Sequence, residues 1–128
     1  MKRKHHDLVA WQEAIKLVKA TYEVTRTYPK EEQFSLVSQI RRASVSVPGN
    51  IAEGAARNSE KDFVRFLTIA RGPLSELETY MVISRELGYV DETEEMDALM
   101  DRVFRLLAGS ISSNKLKCRR FERVPPHP

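Results

Sequence analysis

Cysteine is almost absent from this sequence, since Cys118 is the only one among 128 residues. A single cysteine excludes a disulfide within the chain and a zinc site built from several cysteines. Histidine is also scarce: His5, His6 and His127 all lie near the ends of the chain, where little holds a metal ligand in place. The sequence therefore predicts no bound metal and no cofactor.

Glycine and proline are few as well, with five and six residues, and three of the prolines lie in the last four positions. So few turn-forming residues favour long helices over short strands. No apolar run approaches the ~20 residues of a membrane span, and the basic start MKRKHHDL leads into no signal-peptide core. We therefore expect one soluble, cytoplasmic domain with no membrane partner.

The formal net charge is only +3, but basic residues are concentrated near the two ends. Lys2, Arg3 and Lys4 stand at the start, and residues 115–128 contain five basic residues and one acid. The residues between these ends are acidic on balance. Basic ends are common in proteins that bind polyanions. They also keep a chain soluble, so the charge pattern leaves both interpretations open.

The first helical segment is predicted from about Asp7 to Thr27. Its apolar residues recur at spacings of three and four, which is typical of one face of a helix. They are Leu8, Trp11, Ile15, Val18 and Tyr22. The Asp7 carboxylate is suited to cap the first turn, and the helix should end at Tyr28-Pro29, because the residue before a proline is disfavoured in helical geometry.

The second segment, from about Glu31 to Ala56, carries two stripes side by side. The apolar stripe consists of Leu36, Ile40, Ala43, Val47, Ile51 and Gly54. The other, which we call the polar stripe, consists of Gln39, Arg42, Ser46, Asn50, Glu53 and Arg57. At 100° per residue the polar stripe borders the apolar one. Pro48 removes one helical hydrogen bond, so we expect a kink or a local opening near Val47 to Gly49.

A polar stripe beside a core has two interpretations. It can form a structural hydrogen-bond network, within the bundle or between subunits, that fixes the register of the helices. It can also bind nucleic acid or, given a cavity near Asn50 and Glu53, a small molecule. Half-buried polar side chains usually find protein partners. We therefore favour a structural network or subunit interface for the polar stripe.

The third segment begins at Ser59, where Ser59 to Asp62 resembles a capping box, and ends at Gly88, a typical C-terminal cap residue. Its apolar face stays in phase across Gly72-Pro73, which predicts one kinked helix. The face consists of Phe63, Phe66, Leu67, Ala70, Leu74, Leu77 and Met81.

The fourth segment opens at Asp91, in a group of acids that complements the positive end of a helix dipole. Its apolar face consists of Met96, Leu99, Met100, Val103, Phe104, Leu107 and Ile111. The periodicity fades from about Ser112. We therefore predict an all-α protein, an antiparallel up-down-up-down four-helix bundle. Residues 1–6 form a basic extension, residues 7–112 the bundle domain and residues 113–128 a basic tail.

Motifs for catalysis are missing from the sequence. It has no glycine-rich phosphate loop, no serine elbow, no H-E-x-x-H and no Glu-x-x-His pair for a di-iron centre. A cluster of Glu53, Glu76 and Glu78 with Arg71 is more typical of a helix interface. We therefore expect no enzymatic activity.

Several motifs resemble those of one known family. They are Asp7-Leu8 with Trp11-Gln12, the string Gln39-Ile40-Arg41-Arg42-Ala43, the string Asn50-Ile51-Ala52-Glu53-Gly54, and Phe63 to Ala70. In these motifs the sequence resembles the four-helix bundle proteins first noticed as open reading frames inside intervening sequences of bacterial 23S rRNA genes. Ser35 and Pro73 depart from the family pattern, in which Gly and Ser are common at these positions.

The resemblance implies an antiparallel bundle that assembles as a ring-like homopentamer. It also implies a relationship to the accessory protein of diversity-generating retroelements, which associates with nucleic acid and a reverse transcriptase. The activity of the family itself is not established, so the resemblance gives function only by analogy.

Together these observations predict a non-enzymatic, oligomeric protein that binds nucleic acid, RNA before DNA, through its phosphate backbone. The alternative is an assembly scaffold that binds a protein partner and has no direct role with nucleic acid. The residues predicted to contact phosphates are Lys2, Arg3, Lys4, Arg41, Lys115, Lys117, Arg119 and Arg120.

Overall fold

Four long helices contain most of the chain. The computed structural model describes residues 3–122, of which residues 118–122 are described by their backbone alone. The helices are α1 (Val9–Thr25), α2 (Leu36–Ala55), α3 (Glu60–Glu86) and α4 (Glu94–Glu122), with short 3₁₀ helices at Lys4–Asp7 and Lys30–Glu32. Residues 3–122 contain no strand, so the predicted all-α class with four helices is confirmed.

The four helices surround one hydrophobic core. Helix α1 packs against α2 and α4, and α3 packs against the same two helices. Leu17 of α1, Ile40 of α2, Leu74 of α3 and Leu107 of α4 are completely buried. In the described part of the chain, every buried side-chain nitrogen or oxygen has a hydrogen-bond partner. The core is therefore apolar, and its few polar groups are satisfied.

The ends of α3 agree with the sequence analysis. Ser59 is the N-cap residue, and its Oγ accepts a hydrogen bond from the Asp62 backbone N–H at 3.1 Å. Gly88 follows the helix with a φ of 75°, a conformation that is costly for residues with a Cβ. Helix α3 is continuous through Gly72-Pro73, which confirms the prediction of a single helix.

The predicted start of α1 is wrong. Asp7 belongs to the preceding 3₁₀ helix, and Leu8 occupies the N-cap position without any side-chain cap. The chain enters α1 through this short helix, so the first turn begins one residue later than an N-cap at Asp7 predicts. The Leu8 carbonyl accepts the first helical hydrogen bond, from Gln12.

The buried face of α1 is also different from the predicted one. The residues buried on α1 are Ala10, Glu13, Ala14, Leu17, Thr21 and Thr25. Ile15 and Tyr22 of the predicted face are instead exposed. Small side chains let α1 lie close to the core, and the Thr21 hydroxyl donates to the Leu17 carbonyl at 2.7 Å. Its polar group is thereby satisfied without water.

Helix α2 does not open at Pro48, and helix α4 differs from expectation at both ends. Helix α2 is continuous through Pro48, which is buried, and the kink expected as the alternative stays a prediction. Helix α4 begins at Glu94, after Asp91, and continues to Glu122 instead of fading near Ser112. Residues 113–122 contain no proline or glycine that would end a helix, and the side chain of Asn114 is still buried.

Three side-chain contacts join neighbouring helices. Arg41, early in α2, donates from Nε to Thr25 Oγ1 at the end of α1, at 3.0 Å. Arg85, at the end of α3, donates to the Thr93 hydroxyl at 2.6 Å, just before α4 begins. Glu13 of α1 lies 3.4 Å from the Arg102 guanidinium of α4. Each contact thus stabilises the packing of two neighbouring helices around the core.

Helices α2 and α3 approach each other closely at Gly54, near the end of α2. A Cβ atom at this position would lie 2.7 Å from the Phe66 Cβ and 3.3 Å from the Phe63 carbonyl oxygen. Real Cβ atoms do not come this close to such neighbours. Gly54 is therefore required by the packing of α2 on α3, although its helical backbone suits any residue.

We predict that Gly54→Ala destabilises the protein by about 1–3 kcal/mol, because the added methyl group overpacks the contact with Phe66. The matched control is Gly49→Ala in the same helix, where a Cβ meets nothing within 4 Å. That variant should gain up to about 1 kcal/mol, since alanine favours a helix more than glycine does. Urea unfolding followed by circular dichroism measures both changes, and equal behaviour of the two variants would contradict the packing argument.

Glu13 is a charged residue on the buried face of α1. Its Oε1 accepts a hydrogen bond from Lys16 Nζ at 3.2 Å and also faces Arg102 of α4. Burial raises the pKa of Glu13, but the hydrogen bond from Lys16 and the charges of Lys16 and Arg102 outweigh it. The pKa therefore lies below its ordinary value of 4.5.

A lowered carboxyl pKa means that ionised Glu13 stabilises the folded state above pH 4.5. This contribution is lost as the pH falls through the lower pKa of the folded protein. We predict that Glu13→Gln lowers the free energy of unfolding by about 1–2 kcal/mol at pH 7, and that the difference from wild type shrinks below pH 4. Urea unfolding at pH 7, 5 and 3 tests this, and a difference independent of pH would show that the carboxylate charge is irrelevant.

Candidate nucleic-acid interface

The predicted phosphate-contacting residues are found in three parts of the structure. Arg3 and Lys4 are exposed at the start of the described chain, and Lys115 and Lys117 are exposed near the end of α4. Arg41 lies half-buried in α2. Lys2 falls outside the described residues, and so do the side chains of Arg119 and Arg120. The structure brings Arg3 and Lys4 close to a basic region that the sequence analysis did not identify.

The N-terminal segment is held beside the start of α3. Lys4 Nζ lies 5.5 Å from the centre of the Phe63 ring, and His5 stacks edge-on against Trp11 with ring centres 5.0 Å apart. The Arg3 backbone N–H donates to His6 Nδ1 at 2.9 Å. These contacts fix a segment that carries two exposed cations next to the α2–α3 connection.

Two arginines share a second aromatic ring in the same region. Arg57, just after α2, and Arg65, in α3, lie 5.0 and 5.4 Å from the centre of the Phe66 ring. Lys61 is exposed four residues before Arg65, so both lie on the same side of α3. We call Arg3, Lys4, Arg57, Lys61 and Arg65 the basic corner. Cations held over aromatic rings lose part of their rotational freedom, which lowers the entropy cost of a later contact.

Acidic residues moderate the charge of the basic corner. Glu53 accepts a hydrogen bond from Arg57 Nη2 at 2.7 Å, so this arginine is already compensated. Glu60 and Asp62 lie in the first turn of α3, where the helix dipole stabilises them. Among the described residues, no carboxylate is in ion-pair contact with Lys61 or Arg65. The corner therefore offers cations to an external anion, led by Arg3, Lys4, Lys61 and Arg65.

Lys115 and Lys117 lie in the last part of α4. Arg102 of α4 contacts Glu13 of α1, and α4 continues from there past Lys115 and Lys117. At 1.5 Å per residue, Lys115 lies about 20 Å beyond Arg102 along the helix.

The side chain of Arg41 makes contacts within the bundle. Its guanidinium lies 4.6 Å from the centre of the Tyr22 ring and donates from Nε to the Thr25 hydroxyl. These contacts join α2 to α1 and occupy one donor and one face of the guanidinium. This role could not be predicted from the sequence, because residues 22, 25 and 41 come together only in the folded chain.

The polar stripe of α2 bonds mainly to its own helix. Ser46 Oγ donates to the Arg42 carbonyl at 2.9 Å, and Asn50 Nδ2 donates to the Ser46 carbonyl at 2.8 Å. Gln39, Arg42 and the Glu53–Arg57 pair are exposed, while Ser46 and Asn50 are half-buried. The side-chain hydrogen bonds described for the stripe thus stay within one helical turn, and its predicted role at a subunit interface stays a prediction.

No metal-binding cluster and no membrane-spanning helix occur in the described part of the chain. Within it, no three side chains of His, Cys, Asp or Glu converge to hold a metal ion. None of the described helices combines the length and the apolar character that a bilayer span requires. An open groove of about 420 Å³ lies between α1 and α4, but cations such as Lys19 and acids such as Glu95 alternate along it.

Comparisons with known proteins add a family and a related fold. The model of the family described as 23S rRNA-intervening sequence protein matches residues 6–109. A crystal structure of similar fold is that of a protein with unknown function from the S23 ribosomal protein family of Bacteroides thetaiotaomicron VPI-5482. The two are 21% identical with a TM-score of 0.66, over 84% of this chain and 96% of that one. A comparison with curated proteins finds no match.

We predict that Arg41→Ala lowers the free energy of unfolding by about 1–2 kcal/mol, because it removes the hydrogen bond to Thr25 and the contact with Tyr22. The neighbouring Arg42→Ala should change it by less than about 0.5 kcal/mol, since Arg42 is exposed. Chemical unfolding of the two variants under identical conditions is the measurement. Equal stabilities would mean that the contacts of Arg41 add nothing to the fold.

Proposed function

The chain belongs to the family of 23S rRNA-intervening sequence proteins, and from this premise we propose that it is a non-enzymatic, oligomeric, cytoplasmic protein that binds nucleic acid through the phosphate backbone, RNA before DNA. The basic corner is the observation that carries this proposal. It gathers cations from the N-terminal segment, the end of α2 and the start of α3 on one exposed surface. The name of the family links it to rRNA genes, which favours RNA over DNA.

We further propose that the helices run up-down-up-down and that the chains assemble as a ring-like homopentamer. The contacts of Arg41 with Thr25, Arg85 with Thr93, and Glu13 with Arg102 support this topology. Each pairs neighbouring helices at levels that antiparallel directions require. In this topology the starts of α1 and α3 and the ends of α2 and α4 share one end of the bundle. The basic corner and Lys115 and Lys117 then form one surface.

The kind of contact follows from the residue types in the basic corner. Lysine and arginine side chains neutralise phosphates without reading bases, and each phosphate contact releases condensed counterions. The rings of Phe63 and Phe66 are already covered by cations, so they do not offer open faces for base stacking. Binding should therefore depend on the density and spacing of phosphates more than on sequence.

We predict that the intact protein binds a labelled RNA hairpin with an affinity whose logarithm falls linearly with the logarithm of salt concentration. The double variant Lys61→Gln/Arg65→Gln should weaken binding at low salt and reduce the steepness of the salt dependence by about 1–2 units, because two phosphate contacts are lost. Fluorescence anisotropy over a series of salt concentrations measures both quantities. A DNA duplex of equal length serves as competitor and should bind more weakly than the RNA.

The matched control is Lys19→Gln/Lys30→Gln, which removes the same charge from exposed positions outside the basic corner. If this control weakens binding as much as the corner variant, net charge and not the corner is responsible. If the intact protein does not bind RNA or DNA even at low salt, the nucleic-acid proposal is wrong and the scaffold for a protein partner becomes the better account.

A further inference from the structure

An apolar stripe on α1 is only partly covered within the chain, since Leu8 and Trp11 pack at the edge of the core and Arg41 lies over the Tyr22 ring. The residues that the sequence analysis assigned to the core face of this helix lie on its α2 side, at the edge of the bundle. They are Leu8, Trp11, Ile15, Val18 and Tyr22, spaced by three, four, three and four. Ile15 is 43% exposed and Tyr22 is 38% exposed, and the other three are half-buried. Single exposed apolar residues are ordinary, but a continuous stripe is typical of an interaction surface.

A second stripe with the same spacing lies on α3. It consists of Phe66, Ile69, Pro73, Glu76, Tyr80, Ile83 and Leu87. Ile69 and Ile83 are exposed by 41% and 39%, and Leu87 by 56%. The only charged member, Glu76, accepts a hydrogen bond from the Tyr80 hydroxyl at 3.3 Å. The stripe is therefore apolar along most of its length, and it borders the core with Ile69, Ile83 and Leu87 exposed.

The two stripes match each other in period and length. Both follow the alternating three- and four-residue spacing with which helices pack as knobs into holes. Leu8 to Tyr22 and Ile69 to Ile83 each cover fifteen residues, and the fourteen steps between their ends correspond to about 21 Å of helix. The α3 stripe extends further, to Leu87, and Phe34 extends the α1 side, because it borders the same α1–α2 groove as Tyr22. Phe34 is 94% exposed.

The surroundings of the α3 stripe are those of a protein interface. Phe66, its first member, contacts Gly54 and Arg57 of α2, so the polar stripe of α2 runs along one border of the apolar α3 stripe. An apolar centre with a polar rim is the usual anatomy of an interface between proteins. The occupant must present a complementary apolar helix of about 21 Å, which the α1 stripe of a second copy provides.

We propose that the α1 stripe of one copy of this chain packs against the α3 stripe of the next copy. The inference rests on the oligomer of the proposed function and names the two surfaces that build it. The two surfaces are different, so the contact is heterologous and leaves one unpaired stripe on each outer subunit. Repetition of such a contact closes into a ring when the rotation between copies permits it. The two stripes thus supply the repeating contact that such a ring requires.

The test uses charged substitutions at exposed positions, one on each stripe. Ile15→Glu places a carboxylate in the α1 stripe, and Ile83→Glu places one in the α3 stripe. Each should weaken assembly by about 100-fold or more, because a carboxylate buried in an apolar contact without a partner is costly. The matched control is Val82→Glu, beside Ile83 on α3 and 46% exposed but outside the stripe, which should assemble like wild type. Light scattering after size exclusion and sedimentation velocity measure the masses.

Phe34→Ser gives a variant that is safe for the fold, since a 94% exposed side chain contributes almost nothing to the core. It should also weaken assembly, with an unchanged circular dichroism spectrum. Loss of assembly in this variant excludes the objection that the charged variants merely fail to fold. If the Phe34→Ser variant and the Ile15→Glu variant both assemble to the same mass as wild type, the α1 stripe has no role in assembly.

Mixing the two charged variants tests the pairing itself. Ile15→Glu retains an intact α3 stripe, and Ile83→Glu retains an intact α1 stripe, so an equal mixture should form a particle of two chains and stop there. If Ile83→Glu remains assembled, or if the mixture stays monomeric, the α1–α3 pairing is wrong. If wild type itself is monomeric, both this pairing and the proposed oligomer are wrong, whereas the RNA titration is judged separately by its own salt dependence.

Discussion

The contact of Gly54 with Phe66 is the constraint on which much of the structure depends. Because Gly54 has no side chain, α2 and α3 approach until the Phe66 Cβ would lie 2.7 Å from any added Cβ. Arg57 and Arg65 lie over the ring of this same Phe66, and Phe66 is also the first residue of the α3 stripe. The residue that Gly54 admits into close contact therefore supports two cations of the basic corner and begins an apolar surface.

Small residues also determine how closely helix α1 packs on the core. Its buried face contains Ala10 and Ala14, and its threonines return their hydroxyl groups to their own helix. Small residues bring the helix close to the core, and its large apolar residues are then directed toward the edge of the bundle. Burial of large side chains contributes most to stability, so a monomer gains little from Ile15 at an exposed position. Assembly with a second copy would bury Ile15 and so add the stability that the monomer lacks. This would explain why α1 places large apolar residues at the edge of the bundle.

The sequence predicted the existence of all four helices and the α3 boundaries, because Ser59 and Gly88 are local signals that act within a few residues. The sequence-based prediction was wrong for the buried face of α1, because two apolar patterns overlap in that helix. The pattern with the larger residues was interpreted as the core face, whereas the other pattern is buried. Periodicity identifies an apolar face but not the partner that covers it. The basic corner could not be derived either, because Phe66 joins cations from separate segments only after folding. A signal was nevertheless present in the spacing of Lys61 and Arg65.

Charge and assembly are connected in the proposed function. Within one chain the basic corner is moderated by Glu53, Glu60 and Asp62, so a single corner should hold a phosphate backbone weakly. In a closed ring every copy presents the same corner at the same end, because cyclic symmetry repeats each surface around the axis. Once one corner is bound, the others meet the same RNA at a high effective concentration, and the affinities multiply without any new contact. In the proposed function, a protein with a modest net charge of +3 would therefore bind RNA firmly when assembled and weakly as single chains.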